Sequence, residues 1–389
     1  MDASLFAKML SDKSVTNLKI MQYKFSAEDV NEFVDILKKM IYQYLNIYGF
    51  NGNRIAYLHN VAIVHINAVK ILLTPQSVYG KYGINAMENE IHSTLNIENI
   101  QSSRESIRRI LNGYAPENED ENRIFGIKKG LEFIGDTENK ITEENIYKLY
   151  QYAIYNSLAE DDKLLSGNLY RHDSVYIVGD KVEHTGLPHD KLPQYMNDLV
   201  SFIETDSNMD DLLKAAAIHF YISYLHPYFD GNGRMARLIH LWYLVQQGYP
   251  STLFTPLSMY IEKSKSEYYN AFTLTEQNAK ISGVIDITPF LVYFIDNVYN
   301  KLNENIPKTD SLKVYEKSLA DGIITEKEKE LWNFVLSSYG INEFSTKQLE
   351  RDFGNAAYAT IRGFVLKFEK LGLFTHQKYR NRVKYRLVN

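Results

Sequence analysis

The sequence predicts a mainly α protein: a helical core carrying one β-hairpin, a helical N-terminal region, and a C-terminal unit of three helices and a hairpin. Three observations predict it. Apolar residues recur at helical spacing over most of the 389 residues. One internal segment, "YRHDSVYIVGDKVEHTGLPHDKLP" (170–193), alternates apolar and polar residues around a Gly-Asp turn. The last 60-odd residues run helix, helix, helix and paired β-prone stretches.

Composition narrows the function classes. A hydrophobic content of 45% with 23% charged residues is that of an ordinary globular chain, long enough for two or three domains. A net charge of -5 argues against a globally basic nucleic-acid binder and leaves room for a local basic patch. The absence of cysteine excludes disulfides, thiolate metal sites and a cysteine nucleophile. The opening "MDASLFAKMLSDKSV" has no apolar core of signal-peptide length, and no uncharged apolar run reaches membrane-spanning length. The expectation is a cytoplasmic protein with no membrane partner.

In chain order, "SAEDVNEFVDILKKMIYQYLNIYGF" reads as a helix capped by Ser26, with Val30, Phe33, Val34, Ile36, Leu37, Ile41 and Leu45 on its apolar face. "ENIYKLYQYAIYNSL", "MDDLLKAAAIHFYISYL" and "RMARLIHLWYLVQQGYP" behave likewise, the last stopping at Gly248 and Pro250. The 170–193 hairpin reads as a lid over a cleft. "NKLNENIPKTDSLKVYEKSLADGIITEKEKE" (300–330) reads as a linker, turn-rich and charged. Beyond it, a helix over 328–337, "STKQLERDFG", "NAAYATIRGFVLKFEKLGLF" and the basic tail "THQKYRNRVKYRLVN" spell a winged helix-turn-helix. The expected domains are 1–90, 91–305 and 306–389.

The chemistry concentrates in "HPYFDGNGRMAR" (226–237). Pro227 ends one helix just after His226, and the next begins near Asn232. Gly231 and Gly233 permit a tight turn whose N–H groups converge at that helix's N-terminus, a place that favours an anion. Arg234 and Arg237 share a helical face and can grip neighbouring phosphate oxygens. Asp230 can hold a divalent cation, and His226 has the ordinary pKa of a general base.

This stretch resembles the signature of Fic-domain proteins, H-x-F-x-[D/E]-G-N-G-R-x-x-R, with Tyr228 in place of the usual Phe. "SGNLYR", the hairpin, "LPQYMNDLVSFI", "GYP" and "SEYYNAF" extend the resemblance over roughly residues 91–300. The resemblance implies a helical Fic core with a flap, and a protein adenylyltransferase moving AMP from ATP to a Ser, Thr or Tyr hydroxyl of a target protein. It implies His226 as the base and Asp230 as holder of Mg²⁺ or Mn²⁺. Gly231, Asn232 and Gly233 would cradle phosphates, and Arg234 and Arg237 would take the outer ones. Tyr269 would line the adenine pocket. "TLNIENI" (94–100) is similar to the family's inhibitory motif, here Thr94, Glu98 and Asn99. By that resemblance Glu98 pairs with Arg237 in the seat of the γ-phosphate, an intramolecular brake.

Alternatives stay open. The same glutamate can serve AMP removal. The C-terminal unit can dock DNA or protein, through Lys378, Arg380, Arg382, Lys384 and Arg386 interleaved with Tyr379 and Tyr385, beside a vestigial Fic core. A homodimer is a further expectation. "RDFG" and "YRHD" mimic kinase fragments in the wrong order, no P-loop exists, and His184 and His189 lack acids at metal-ligand spacing.

Overall fold

A computed structural model describes residues 1–63, 84–178, 182–205, 209–249, 251–252, 255–305, 309–339, 343–379 and 382–388. The fold is mainly helical. It begins with α1 (Ala3–Leu10), α2 (Leu18–Lys24), α3 (Ala27–Ile36) and an antiparallel hairpin of β1 (Gln43–Tyr48) and β2 (Arg54–Tyr57). Next come α4 (Ile84–Ile97), α5 (Arg104–Leu111), α6 (Glu119–Ile134), α7 (Glu143–Ala153) and a hairpin of β3 (Tyr176–Val178) and β4 (Val182–Thr185). Then follow α8 (Leu192–Glu204), α9 (Asp211–Leu225), α10 (Asn232–Gln246), α11 (Leu257–Lys263), α12 (Lys265–Ser282) and α13 (Thr288–Phe294). The chain closes with α14 (Thr309–Ala320), α15 (Glu326–Ser338), α16 (Thr346–Phe353), α17 (Tyr358–Lys370) and a hairpin of β5 (Phe374–Tyr379) and β6 (Arg382–Leu387).

α9 and α10 pack on each other at the centre and are buried on nearly every face, walled in on all sides. α6 and α7 cover one side of them. Their approach is close enough that a β-carbon at Gly126 would sit 2.5 Å from the Ala153 carbonyl oxygen, so only glycine fits there. One continuous core runs from α4 through the central pair to Trp332 and Phe364 of the C-terminal unit, while Met9, Phe33 and Tyr42 anchor a second, N-terminal core.

Two expectations need correction. The helix read over 26–50 ends at Ile36 and, after one wide turn, becomes strand β1. Leu45 continued the helical spacing, but Leu45 and Ile47 are the buried members of an alternating strand, and Gly52, at φ 77°, closes the hairpin. Hydroxyls of Tyr221 and Tyr195 bind this hairpin through the carbonyls of Tyr48 and Gly49, at 2.9 and 3.1 Å.

The stretch read as a linker contains α14, whose Tyr315 is buried and stacks on Trp332 with ring centroids 5.1 Å apart. Its apolar spacing was hidden among charges. The 170–193 hairpin forms as expected, although its Gly179–Asp180 turn lies outside the described residues, as do Pro250 and Arg380.

Candidate active site

His226 ends α9 in the left-handed region, at φ 53° and ψ 61°, a conformation that only a few per cent of non-glycine residues adopt. Its Nδ1 lies 3.3 Å from the Ser223 carbonyl oxygen. A carbonyl only accepts, so this contact calls for the tautomer with its proton on Nδ1, which leaves Nε2 as the basic nitrogen.

From His226 the loop turns into α10 through Gly231, at φ 82°, where a β-carbon would run into the Ile154 side chain. Asn232 staples this loop: its Oδ1 accepts from the Tyr228 amide at 2.9 Å and its Nδ2 donates to the Tyr228 carbonyl at 2.8 Å. That side chain braces the loop that leads into α10. The first turn of α10 has no side-chain cap, and Gly231, Asn232 and Gly233 line the cleft beside it. Tyr228, where a Phe was the expected residue, is fully buried and stacks on Tyr150 with centroids 3.7 Å apart.

Across the cleft, α4 ends as Asn99 enters the left-handed region at φ 58°, a residue type that tolerates it. The Asn99 amide oxygen accepts from Lys265 Nζ at 2.7 Å. This turn delivers Glu98 to both signature arginines. Its Oε1 accepts from Arg237 Nη2 at 2.6 Å and its Oε2 from Arg234 Nε at 2.8 Å. Sequence reading had paired Glu98 with Arg237 alone. The arginine side chains are 1–2% exposed, whereas that of Glu98 keeps 21% of its surface, so the pair is half-open on the carboxylate side. Thr94 completes the arrangement, its hydroxyl accepting from Arg237 Nε at 2.6 Å. Burial works to lower the pKa of Arg234, but Glu98 and Asp230 more than offset it and the net direction is up.

Asp230 has two tasks that its sequence position did not announce. Its Oδ2 accepts from Arg234 Nη2 and its Oδ1 from the Gly231 amide, at 2.8 and 2.6 Å. Among the described residues no group of three His, Asp or Glu side chains could hold a metal by itself. Asp230 offers one carboxylate at the cleft, a donor that an ion such as Mg²⁺ can share with phosphate and water. Tyr269 stands at the cleft wall, half-exposed, with its hydroxyl donating to the Ile97 carbonyl at 3.2 Å.

These groups converge on one cleft of about 1290 Å³, bordered by Glu98, His226, Asp230, Arg237, Tyr269 and, from the flap, Thr185. Beneath it, His219 and His240 are buried and held neutral: burial pushes His219 well down and His240 to about 3. Sequence reasoning missed Arg171, which binds the flap to the His226 carbonyl. Its only signal was its place in "SGNLYR".

The Fic/DOC family profile matches residues 140–244, from just before α7 to near the end of α10. The chain is 25% identical over 184 residues to a protein of Drosophila ananassae named protein adenylyltransferase Fic, covering 46% of this chain and 32% of that one. It is 23% identical over 181 residues to protein adenylyltransferase fic-1 of Caenorhabditis briggsae, covering 45% and 31%. The chain thus spans about a third of the length of these curated relatives. Among solved structures, it is similar to a Fic family protein from Desulfovibrio desulfuricans G20, with a TM-score of 0.47, 20% identity and coverage of 78% and 87%. It is also similar to Fic-1 of C. elegans, with a TM-score of 0.43, 21% identity and coverage of 63% and 68%. With the signature loop, both arginines and the profile match coinciding, the chain carries a Fic domain of the Fic/DOC family.

Proposed function

We propose that the protein is an adenylyltransferase that moves AMP from ATP to a hydroxyl of a target protein and that Glu98 holds it back. The observation that carries this reading is the bridge of Glu98 to Arg234 and Arg237 at 2.8 and 2.6 Å, beside the uncapped start of α10. A carboxylate there stands where an outer phosphate of a bound nucleotide would seek the same two guanidinium groups.

In the reaction, His226 Nε2 takes the proton of a Ser, Thr or Tyr hydroxyl. The oxygen attacks the α-phosphorus, the bond to the bridging oxygen breaks, and pyrophosphate leaves with the electron pair. Gly233 brings its backbone N–H group to the phosphates, with the α10 dipole behind it, while the Gly231 amide, given to Asp230 Oδ1, fixes the turn beneath them. Arg234 and Arg237, once released by Glu98, take the outer phosphates. Asp230 would hold Mg²⁺, which supplies neutralisation of phosphate charge when bound. Tyr269 offers a ring face to adenine.

The part-exposed Glu98 carboxylate also supports a second reading, activation of water for removal of AMP. For the C-terminal unit we favour docking of protein over duplex DNA. Two of its hairpin side chains face acids within the unit: Lys384 lies 3.8 Å from Glu343, and His376 contacts Glu369.

The test is labelling with ATP radioactive at the α-position, then at the γ-position, in the presence of lysate proteins. The reading requires α-label incorporation that is lost in His226→Ala and absent with γ-label. Incorporation of γ-label would make the protein a phosphate-transferring enzyme instead.

A further inference from the structure

The hairpin β3–β4 is anchored by one buried side chain. Arg171 is 2% exposed, and its guanidinium spreads over three backbone carbonyls. Nε donates to the His226 oxygen at 2.8 Å, Nη1 to Asp173 at 2.5 Å, and Nη2 to Leu187. Asp173 precedes the hairpin and Leu187 follows it, so one planar group ties both feet of the flap to the residue that carries the base. The Arg171 amide adds a bond to the Pro227 carbonyl at 2.9 Å, and the Leu187 amide one to Leu225 at 3.4 Å.

The geometry is tight. A β-carbon at Gly186 would fall 2.8 Å from Arg171 Nη2 and 3.4 Å from the His226 β-carbon, so the guanidinium edge and the histidine flank the same point. A buried cation is costly to keep, and here its three acceptors are neutral carbonyls. A fork of fixed N–H directions matches three diverging acceptors, which a flexible ammonium does not reproduce. His226 needs such a hold, because it is one of two non-glycine residues with positive φ among the described residues.

We infer that Arg171 is a positioning residue that registers the flap against His226, setting where an incoming hydroxyl meets the base without touching the nucleotide. The inference rests on the AMP-transfer reading for its kinetic consequence and on the hydrogen bonds alone for its structural one. The flap contributes Thr185 to the cleft wall, so a flap that drifts relative to His226 shifts the acceptor and leaves the phosphate seat in place.

The experiment uses the full chain carrying Glu98→Gly as parent and compares Arg171→Lys and Arg171→Ala in that background. Three quantities are read: ATP affinity by calorimetry, the labelling rate at saturating α-labelled ATP, and amide hydrogen exchange of peptides spanning 174–187. Arg171→Lys, which keeps the charge and loses the fork, is expected to slow labelling on the order of 10- to 100-fold, the scale of a misplaced reacting group. ATP affinity stays within about twofold, a loss in kcat and not in KM. Exchange at the Gly186 and Leu187 amides speeds up in both variants, and millimolar guanidinium restores part of the rate of Arg171→Ala. Labelling by Arg171→Lys at the parent rate, or ATP affinity falling as far as the rate, overturns the proposal. A parent that labels nothing refutes AMP transfer instead, and unchanged flap exchange in Arg171→Lys would then still refute the anchor.

Discussion

Glu98 and Arg237 meet at 2.6 Å, and Thr94 holds the same guanidinium from behind, its hydroxyl 2.6 Å from Arg237 Nε. The arginine is buried, so each donor it loses is left without water. Thr94→Val removes the hydroxyl at nearly constant volume. Chemical denaturation should show a loss of about 1–3 kcal/mol, the cost of a buried unsatisfied donor. An unchanged midpoint would mean that Arg237 finds another acceptor.

Gly231 carries the turn into α10 at φ 82°, and a β-carbon there would lie 2.5 Å from Ile154. Gly231→Ala should cost about 1–3 kcal/mol through backbone strain, with further loss from the clash. Adding Ile154→Ala, which removes the Cγ2 and Cγ1 atoms that crowd the new β-carbon, should recover only the clash when scored against Ile154→Ala alone. Full recovery, followed by thermal melting, would show that the backbone conformation is not needed.

Tyr269 presents its ring to the cleft while its hydroxyl binds the Ile97 carbonyl at 3.2 Å. If the ring stacks on adenine, Tyr269→Ala weakens ATP binding by about 1–3 kcal/mol in the Glu98→Gly background, and Tyr269→Phe leaves it nearly unchanged. Calorimetry separates these outcomes. Equal affinity in all three proteins would assign Tyr269 to helix packing.

His240 is buried, its Nε2 3.1 Å from the Tyr299 hydroxyl, and burial lowers its pKa from 6.5 to about 3. The unfolded chain therefore binds a proton below about pH 6.5 that the folded chain refuses until about pH 3. Stability from this group is full above pH 6.5 and is lost as pH falls through that window, by up to about 1.4 kcal/mol per pH unit. His240→Gln should flatten the fall in melting temperature between pH 6.5 and 4. An identical slope in the variant would assign the acid sensitivity to other groups.

Local chemistry made much of this structure legible. Helices α7, α9 and α10 and the flap follow from apolar period and turn residues, and the signature loop is contiguous, so its groups could be placed without tertiary information. β1 was hidden because Leu45 satisfies a helical and a strand period at once, and its hairpin is secured by Tyr195 and Tyr221, far along the chain. α14 was hidden because its buried Tyr315 needs Trp332 to explain it. Within the site, the second partner of Glu98, the Asp230–Arg234 pair and the three carbonyls on Arg171 depend on where loops and helix ends meet. Spacing along the chain cannot report such encounters.

The central claim is that Glu98 withholds Arg234 and Arg237 from ATP. The direct measurement is the rate of α-label incorporation by wild type and by Glu98→Gly at equal ATP. The account predicts an increase of about 10- to 100-fold in Glu98→Gly, the rate equivalent of one charge-assisted hydrogen bond of about 1.5–3 kcal/mol. Labelling by Glu98→Gly no faster than wild type, in a variant that still binds ATP, would contradict it.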